Sequence, residues 1–353
     1  MDYNIKEIFA ARLRRARMTS GLSMEGLSKA LGGLVSRQAI NKYENAQMLP
    51  SNDVVCEMGR VLGVKYDYFF SGSDVTISEM SFRSETKISN KERSFISGKL
   101  QDMLERYLEA EMIMGENRLF TTTFFEMTIA NEADAKVAAM RLHCDWALED
   151  KPIYPLFDVM EDNGVKVVSC EFFPQSVKGV YCQVNGKPVV AINENLNAEE
   201  SRFTALHELG HGLLRFKEGL SAIAREKLCD VFAGYVLLPA DRLQEQLGRK
   251  REWVHLEEIK MVQARYGLPA EEIVKMARLE NVISRYSYSR FITDVRDRED
   301  YSALVKASVM NEQKPSRMRS MILKAYGEAE ISESKASVLL NTSITAVHQM
   351  PLV

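Results

Sequence analysis

Apolar residues recur every three or four positions over most of the chain, which predicts a mainly helical protein. Gly21 and Gly32 end the first two helices, and Ser23 and Ser36 are the residue type that caps the second and third. Short helices separated by a glycine-bearing turn favour helix-turn-helix geometry. The first 70 residues therefore predict five short helices, over 5–20, 24–31, 37–44, from about 52, and 66–70.

A period of two replaces the helical period in the middle of the chain. It predicts strands over 165–170, 177–184 and 187–193, and Asn185-Gly186 between the last two is a hairpin turn signal. Helical patterns precede the strands at 91–114, 130–148 and 155–163, and follow them at 198–216, 220–238 and in several segments beyond 254. The predicted fold class is mainly α with a small antiparallel sheet (α+β).

A chain of 353 residues should hold two or three domains. Polar linkers at 71–74 and 86–90 separate the first helices from the rest. We predict four parts: a helix-turn-helix domain (1–72), a helical connector (73–150), a catalytic domain (151–250) and a helical carboxy-terminal domain (251–353).

The composition, with 46% hydrophobic and 27% charged residues, is that of an ordinary soluble protein. No apolar run approaches the ~18 residues that a membrane helix needs. Five cysteines without a Cys-x-x-Cys pair suit a reducing compartment, so we expect a cytoplasmic protein that does not bind membranes. The net charge is −3, but residues 1–70 carry ten basic and seven acidic side chains, a local balance that suits phosphate contacts.

The chemistry of the chain is concentrated in the predicted helix over 198–216. His207 and His211 are four positions apart, so they lie on one helix face and can bind one Zn²⁺. Glu208 can act as general base on the attacking water. Glu226, on the next predicted helix, is the expected third ligand, and Asp230 one turn later is expected to accept a hydrogen bond from a ligand histidine. The alternative is that both histidines are merely polar helix residues.

Residues 202–211 (RFTALHELGH) and 229–239 (CDVFAGYVLLP), with the preceding 188–195, resemble the ImmA/IrrE metallopeptidases. The resemblance implies a thermolysin-like (gluzincin) zinc peptidase domain that cleaves repressor-type proteins in stress or mobile-element control. Two departures are visible: Cys229-Asp230 stands where the family commonly has Ala-Asn, and the spacing from the second histidine to the third ligand is short.

Residues 21–28 and 36–45 resemble the phage-repressor, Cro/C1-type (XRE) helix-turn-helix family. The resemblance implies that the third helix enters the major groove of operator DNA, where arginine reads guanine and glutamine or asparagine reads adenine. Repressor-like modules often bind as dimers, so a homodimer is expected. Met24 stands where the family commonly has glutamine. The alternative to DNA binding is that the five helices form a module that binds protein. The predicted DNA-reading residues are Arg37, Gln38, Asn41 and Lys42.

Together these patterns predict a transcriptional regulator that binds double-stranded DNA and carries a zinc-dependent endopeptidase with a protein substrate, in particular a repressor. The alternative is a non-proteolytic regulator or toxin–antitoxin component in which the metallopeptidase fold is a sensor or a structural module.

Overall fold

The computed structural model describes residues 4–72, 75–84, 88–116, 118–120, 127–148, 151–171 and 173–350. The described chain is mainly helical, with a four-stranded sheet and a two-stranded one, which confirms the predicted α+β class. Contacts divide it into two compact units: unit 1 contains 1–76, 86–113 and 331–353, and unit 2 contains 77–85 and 114–330. Among the helices described, none is both long and apolar enough to cross a membrane.

The strands are β1 (Ile77–Ser84), β2 (Thr128–Ile129), β3 (Lys166–Cys170), β4 (Val177–Val184), β5 (Lys187–Asn193) and β6 (Arg215–Phe216). A 3-10 helix spans Tyr66–Phe70. The α-helices are α1 (Ile5–Thr19), α2 (Met24–Ala30), α3 (Arg37–Glu44), α4 (Asn52–Leu62), α5 (Asn90–Ile113), α6 (Glu132–Asp145), α7 (Leu156–Asp162), α8 (Ala198–Leu213), α9 (Ala222–Leu237), α10 (Ala240–Leu247), α11 (Leu256–Tyr266), α12 (Ala270–Leu279), α13 (Arg285–Asp297), α14 (Glu299–Lys306), α15 (Arg317–Gly327), α16 (Glu333–Leu339) and α17 (Ile344–His348).

The first five helices of unit 1 enclose a small core. The side chains of Phe9, Ile40 and Met58, from three different helices, are completely buried in it. A buried ion pair fastens α1 to the end of α3, because the Arg17 guanidinium donates to both oxygens of Glu44 at 2.5 and 2.8 Å. This pair holds α3 in a defined orientation on α1.

The four-stranded sheet of unit 2 has the order β1-β4-β5-β3. β4 and β5 form the predicted hairpin, in which Asn185 and Gly186 both have positive φ, as its tight turn requires. The prediction of an antiparallel sheet was wrong in one respect: β3 pairs with β5 in parallel, so the sheet is mixed. β3 and β4 are consecutive in the chain but are not neighbours in the sheet, so no hairpin turn between them imposes an antiparallel pairing on β3.

A strand that the sequence pattern did not predict, β1, forms the other edge of this sheet. It pairs antiparallel with β4, with irregularities between Ser78 and Ser81 and between Arg83 and Ser84. Helix α8 packs on β4 and β5, and α9 packs on α8 and α6. The sheet thus supports α8 from one side and α9 supports it from another.

Candidate metal centre and nucleic-acid interface

Helix α8 carries both histidines of the predicted metal site. It begins after Asn197, whose side chain accepts a hydrogen bond from the backbone N–H of Glu200 at 2.9 Å. His207 and Glu208 are almost completely buried, with 1% and 0% of their surfaces exposed, and His211 is partly exposed. A helix that is buried along most of its length holds its ligand side chains rigidly.

The three predicted ligands come together at one point. Nε2 of His207 lies 3.1 Å from Nε2 of His211 and 3.1 Å from Oε2 of Glu226, and Nε2 of His211 lies 3.3 Å from Oε1 of Glu226. A tetrahedral ion with bonds of about 2.0–2.1 Å to nitrogen and oxygen keeps such donors about 3.3–3.4 Å apart. The spacing of the three donors therefore fits a zinc ion.

Asp230 orients the first histidine. Nδ1–H of His207 donates to Oδ1 of Asp230 at 2.8 Å, and Lys275 donates to Oδ2 at 3.0 Å. Although burial alone would raise it, the pKa of Asp230 is lowered by His207, Lys275 and Arg83. Because its Nδ1 proton is directed to Asp230, neutral His207 presents the lone pair of Nε2 to the other two donors.

The carboxylate of Glu226 is held in its charged form. Burial would raise its pKa, but hydrogen bonds with His207 and His211 outweigh this effect and lower the pKa to about 2. Nearly half of its side chain is exposed (48%), whereas that of His207 is buried. The ligand cluster is thus accessible from the Glu226 side, as a site that takes a substrate requires.

Glu208 lies beside the three candidate ligands but is not one of them. Both of its carboxylate oxygens are buried, and neither has a hydrogen-bond partner within the described part of the chain. Burial raises its pKa, against the opposing charges of His207, His211 and Arg83. A buried acid without a protein partner is costly unless it has a ligand to bind, which fits a base directed at a water molecule.

Cys229 is a further candidate ligand that lies close by. Its sulfur lies within 4.8 Å of the ligand nitrogens of His207 and His211. Zinc binds the thiolate, but burial and the neighbouring carboxylates raise the pKa of this thiol well above its usual value. Its sulfur also packs near Gly210 on α8. The shorter distances and the charge favour Glu226 as the third donor, with Cys229 as a packing residue.

Three glycines, which the sequence analysis did not single out, let the surrounding elements approach α8. A Cβ atom on Gly179 of β4 would lie 2.8 Å from Cγ of Glu208, and one on Gly212 would lie 2.0 Å from the ring of Tyr181. A Cβ atom on Gly210 would lie 3.1 Å from Phe232 of α9. Because Gly179 has no side chain, β4 can lie directly against Glu208, the proposed base. A glycine within a predicted strand is the only signal that could have indicated Gly179.

The sequence analysis also did not indicate two charged residues that lie near the site. Lys275 of α12 pairs with Asp230, and the Arg83 guanidinium of β1 lies 3.4 Å from the same carboxylate. Neither residue belongs to a local motif, so no sequence signal could have indicated them. On α9, the hydroxyl of Tyr235 donates to Glu280 at 2.5 Å, away from the candidate ligands.

The four predicted DNA-reading residues form an exposed face of α3. Ser36 caps this helix by accepting from the N–H of Ala39 at 3.2 Å, and Ile40 and Tyr43 turn towards the core. The face is continuous because positions i, i+1, i+4 and i+5 of a helix are neighbours. The exposed side chains are those of Arg37, Gln38, Asn41 and Lys42.

Comparison with protein-family models finds two matches. Residues 160–278 match a peptidase family described as the IrrE N-terminal-like domain, and residues 13–69 match a helix-turn-helix family. Members of the peptidase family are generally zinc-dependent. Searches of curated proteins and of solved structures each gave no match. The matches confirm the family resemblance of both segments: residues 160–278 are similar to the IrrE N-terminal-like peptidase domain, and residues 13–69 to XRE-type helix-turn-helix domains.

Proposed function

We propose that this protein is a DNA-binding transcriptional regulator that also acts as a zinc-dependent endopeptidase on a repressor-type protein. The observation that carries the proposal is the convergence of His207, His211 and Glu226, with donors 3.1–3.3 Å apart. Beside them lies the carboxylate of Glu208, which has no hydrogen-bond partner among the residues that the structure describes. A structural zinc site needs no general base. The buried acid therefore favours a catalytic role over a structural one.

The mechanism follows from the positions of the side chains. Zinc, when bound by the three ligands, would acidify water and polarise a peptide carbonyl. Glu208 accepts the proton of the attacking water, and it later gives a proton to the leaving amine. Asp230 keeps His207 in the tautomer that leaves Nε2 free to ligate. The accessible side of Glu226 is where a peptide would approach.

The regulatory part of the proposal rests on α3. Its exposed residues offer two cations and two amides, a set that suits phosphate contact and base reading in the major groove. We propose that this helix binds an operator, that the protein does so as a homodimer, and that the peptidase acts in the cytoplasm. The predicted boundaries at 72/73, 150/151 and 250/251 also remain proposals.

The decisive experiment compares the zinc-loaded full chain with its Glu208→Gln variant. Each is incubated with a panel of purified XRE-type repressors and with fluorescein-labelled casein, and products are identified by mass spectrometry. Glu208→Gln keeps the size and shape of the side chain, so we expect unchanged zinc content and a rate of cleavage at least about 100-fold lower. Cleavage that is equally fast in the variant contradicts the mechanism.

A second measurement separates peptidase function from a sensor role. His207→Ala should lose both zinc and cleavage while operator binding, measured by fluorescence anisotropy, is retained. If operator binding disappears with zinc while no protein is cut by the wild type, the metal site serves as a sensor and the endopeptidase proposal fails.

A further inference from the structure

The edge of the sheet nearest the candidate catalytic residues is already covered by another part of the same chain. β4 contacts α8 at Gly179, whose Cβ position lies 2.8 Å from Cγ of Glu208 and 2.7 Å from Thr204. The strand next to β4 on its outer side is β1, and Arg83 of β1 is the residue opposite Gly179. Since neighbouring strands are about 4.8 Å apart, the β1 backbone passes one strand spacing from the point where β4 meets Glu208.

Extended peptides commonly bind proteins by adding a strand to a sheet edge, where backbone hydrogen bonds supply affinity and side-chain pockets supply specificity. β4 is the edge at which such a peptide would lie beside Glu208, and β1 runs antiparallel along it from Ile77 to Ser84. β1 therefore occupies the position that an added peptide strand would need.

Although β1 pairs extensively with β4, it contributes less to the buried core than the inner strands do. Six of the seven residues of β5 are buried, whereas none of the described side chains of β1 is. Its pairing with β4 is interrupted twice, between Ser78 and Ser81 and again after Arg83. A strand without a fully buried side chain can leave the sheet at a lower cost than a core strand, because it vacates less buried space.

One side chain fastens β1 near the metal site. The guanidinium of Arg83 lies 5.1 Å from the ring centroid of Phe203 and 3.4 Å from Oδ1 of Asp230, and its side chain is only 20% exposed. Its Nη1 atom is buried without a hydrogen-bond partner in the part of the chain described. An aromatic ring beside a carboxylate is a suitable pocket for an arginine.

We propose that β1 is an intramolecular pseudo-substrate. It covers the peptide-binding edge of β4, and Arg83 fills a pocket formed by Phe203 and Asp230. The ligand that takes its place is an extended peptide with an arginine at the corresponding position. This inference rests on the proposed peptidase function for its biological meaning, but the occupation of β4 can be tested without catalysis.

The first test measures binding in the zinc-loaded Glu208→Gln full chain, which cannot cut the probe by the proposed mechanism. The probe is a fluorescein-labelled peptide with the sequence of residues 77–84, ISEMSFRS. Arg83→Ala weakens the internal competitor, so we expect the probe to bind this variant at least about 10-fold more tightly, a change of about 1.4 kcal/mol. A probe with alanine in place of its arginine should lose this gain. The matched control is Arg290→Ala, which removes an exposed arginine of α13 from the same unit.

The second test locks the strand in place. Ser78 and Gln183 are opposite each other in the β1–β4 register, so Ser78→Cys with Gln183→Cys can form a cross-strand disulfide. With labelled casein as substrate, the oxidised double variant should lose at least about 10-fold in rate, and reduction with a phosphine should restore it. Ser78→Cys alone controls for reactions of the exposed native thiols Cys56 and Cys144.

The outcomes separate this inference from the proposed function. An oxidised variant that cuts casein as fast as its reduced form overturns the inference, because β1 then lies outside the substrate path. If Arg83→Ala lowers the melting temperature and leaves probe binding unchanged, β1 is a structural strand and the inference also fails. If no form cuts any protein but the probe binds Arg83→Ala more tightly, the peptide site stands and the peptidase proposal fails.

Discussion

Removing the carboxylate of Asp230 should weaken zinc binding through His207, although Asp230 is not one of the three expected ligands. Loss of the acceptor that orients a ligand histidine typically costs 10–100-fold in metal affinity, or about 1.4–2.7 kcal/mol. The structure argues for the upper end, because His207 is 1% exposed and water cannot easily replace the acceptor 2.8 Å from Nδ1. For Asp230→Ala we therefore expect a zinc dissociation constant about 100-fold higher.

The assay is a competition titration of the zinc-free full chain against a chromophoric chelator, with circular dichroism to verify folding. Glu272→Gln is the matched control, since Glu272 also pairs with Lys275, at 3.1 Å, but lies on α12 and not on either helix that carries the ligands. Its zinc affinity should stay within about 3-fold of the wild type, which is below 1 kcal/mol. Equal affinities for Asp230→Ala and wild type, or equal losses in both variants, would refute the orienting role.

Four further predictions concern stability and DNA binding. Arg17→Met leaves the buried Glu44 without its partner and should cost about 3–5 kcal/mol in urea unfolding of the helix-turn-helix; a loss below 1 kcal/mol would mean that the pair is unimportant. Lys42→Ala should reduce the salt dependence of operator binding by about one phosphate contact, and an unchanged slope in anisotropy titrations would exclude that contact. Gly212→Ala places a methyl group 2.0 Å from the Tyr181 ring and should lower the free energy of unfolding by about 1–3 kcal/mol; wild-type stability would show that Tyr181 moves aside freely. Zinc at 1,000 times its dissociation constant should stabilise the peptidase domain by about 4 kcal/mol in thermal unfolding, an effect that a chelator must abolish.

Local sequence was sufficient where a structural feature depends on neighbouring residues. Ser23 and Ser36 form the predicted helix caps, and Asn185-Gly186 forms the predicted turn, because capping and turn geometry involve only a few consecutive residues. The spacing of His207 and His211 similarly follows from the pitch of one helix. Their pairing with Glu226 required only that two adjacent helices pack side by side.

Local sequence could not predict which strands pair with the two edge strands, β1 and β3. β3 lies beside β5 and not β4, and β1 reaches β4 from about 100 residues earlier in the chain. Polar and half-exposed residues dominate β1, so its hydrophobic pattern carries no strong strand signal. Strand partners that are distant in sequence depend on the whole fold, through the edges that remain available after the core has formed.

The sequence by itself determined most of the helices, the hairpin and the family resemblance of two segments, because periodicity, caps and the histidine spacing are properties of short segments. Only the tertiary structure showed that Glu208 is buried without a partner among the described residues, that Gly179 admits β4 to its side, and that Arg83 reaches Asp230. These features depend on distances between segments far apart in the chain, and such distances are set by packing of the complete core.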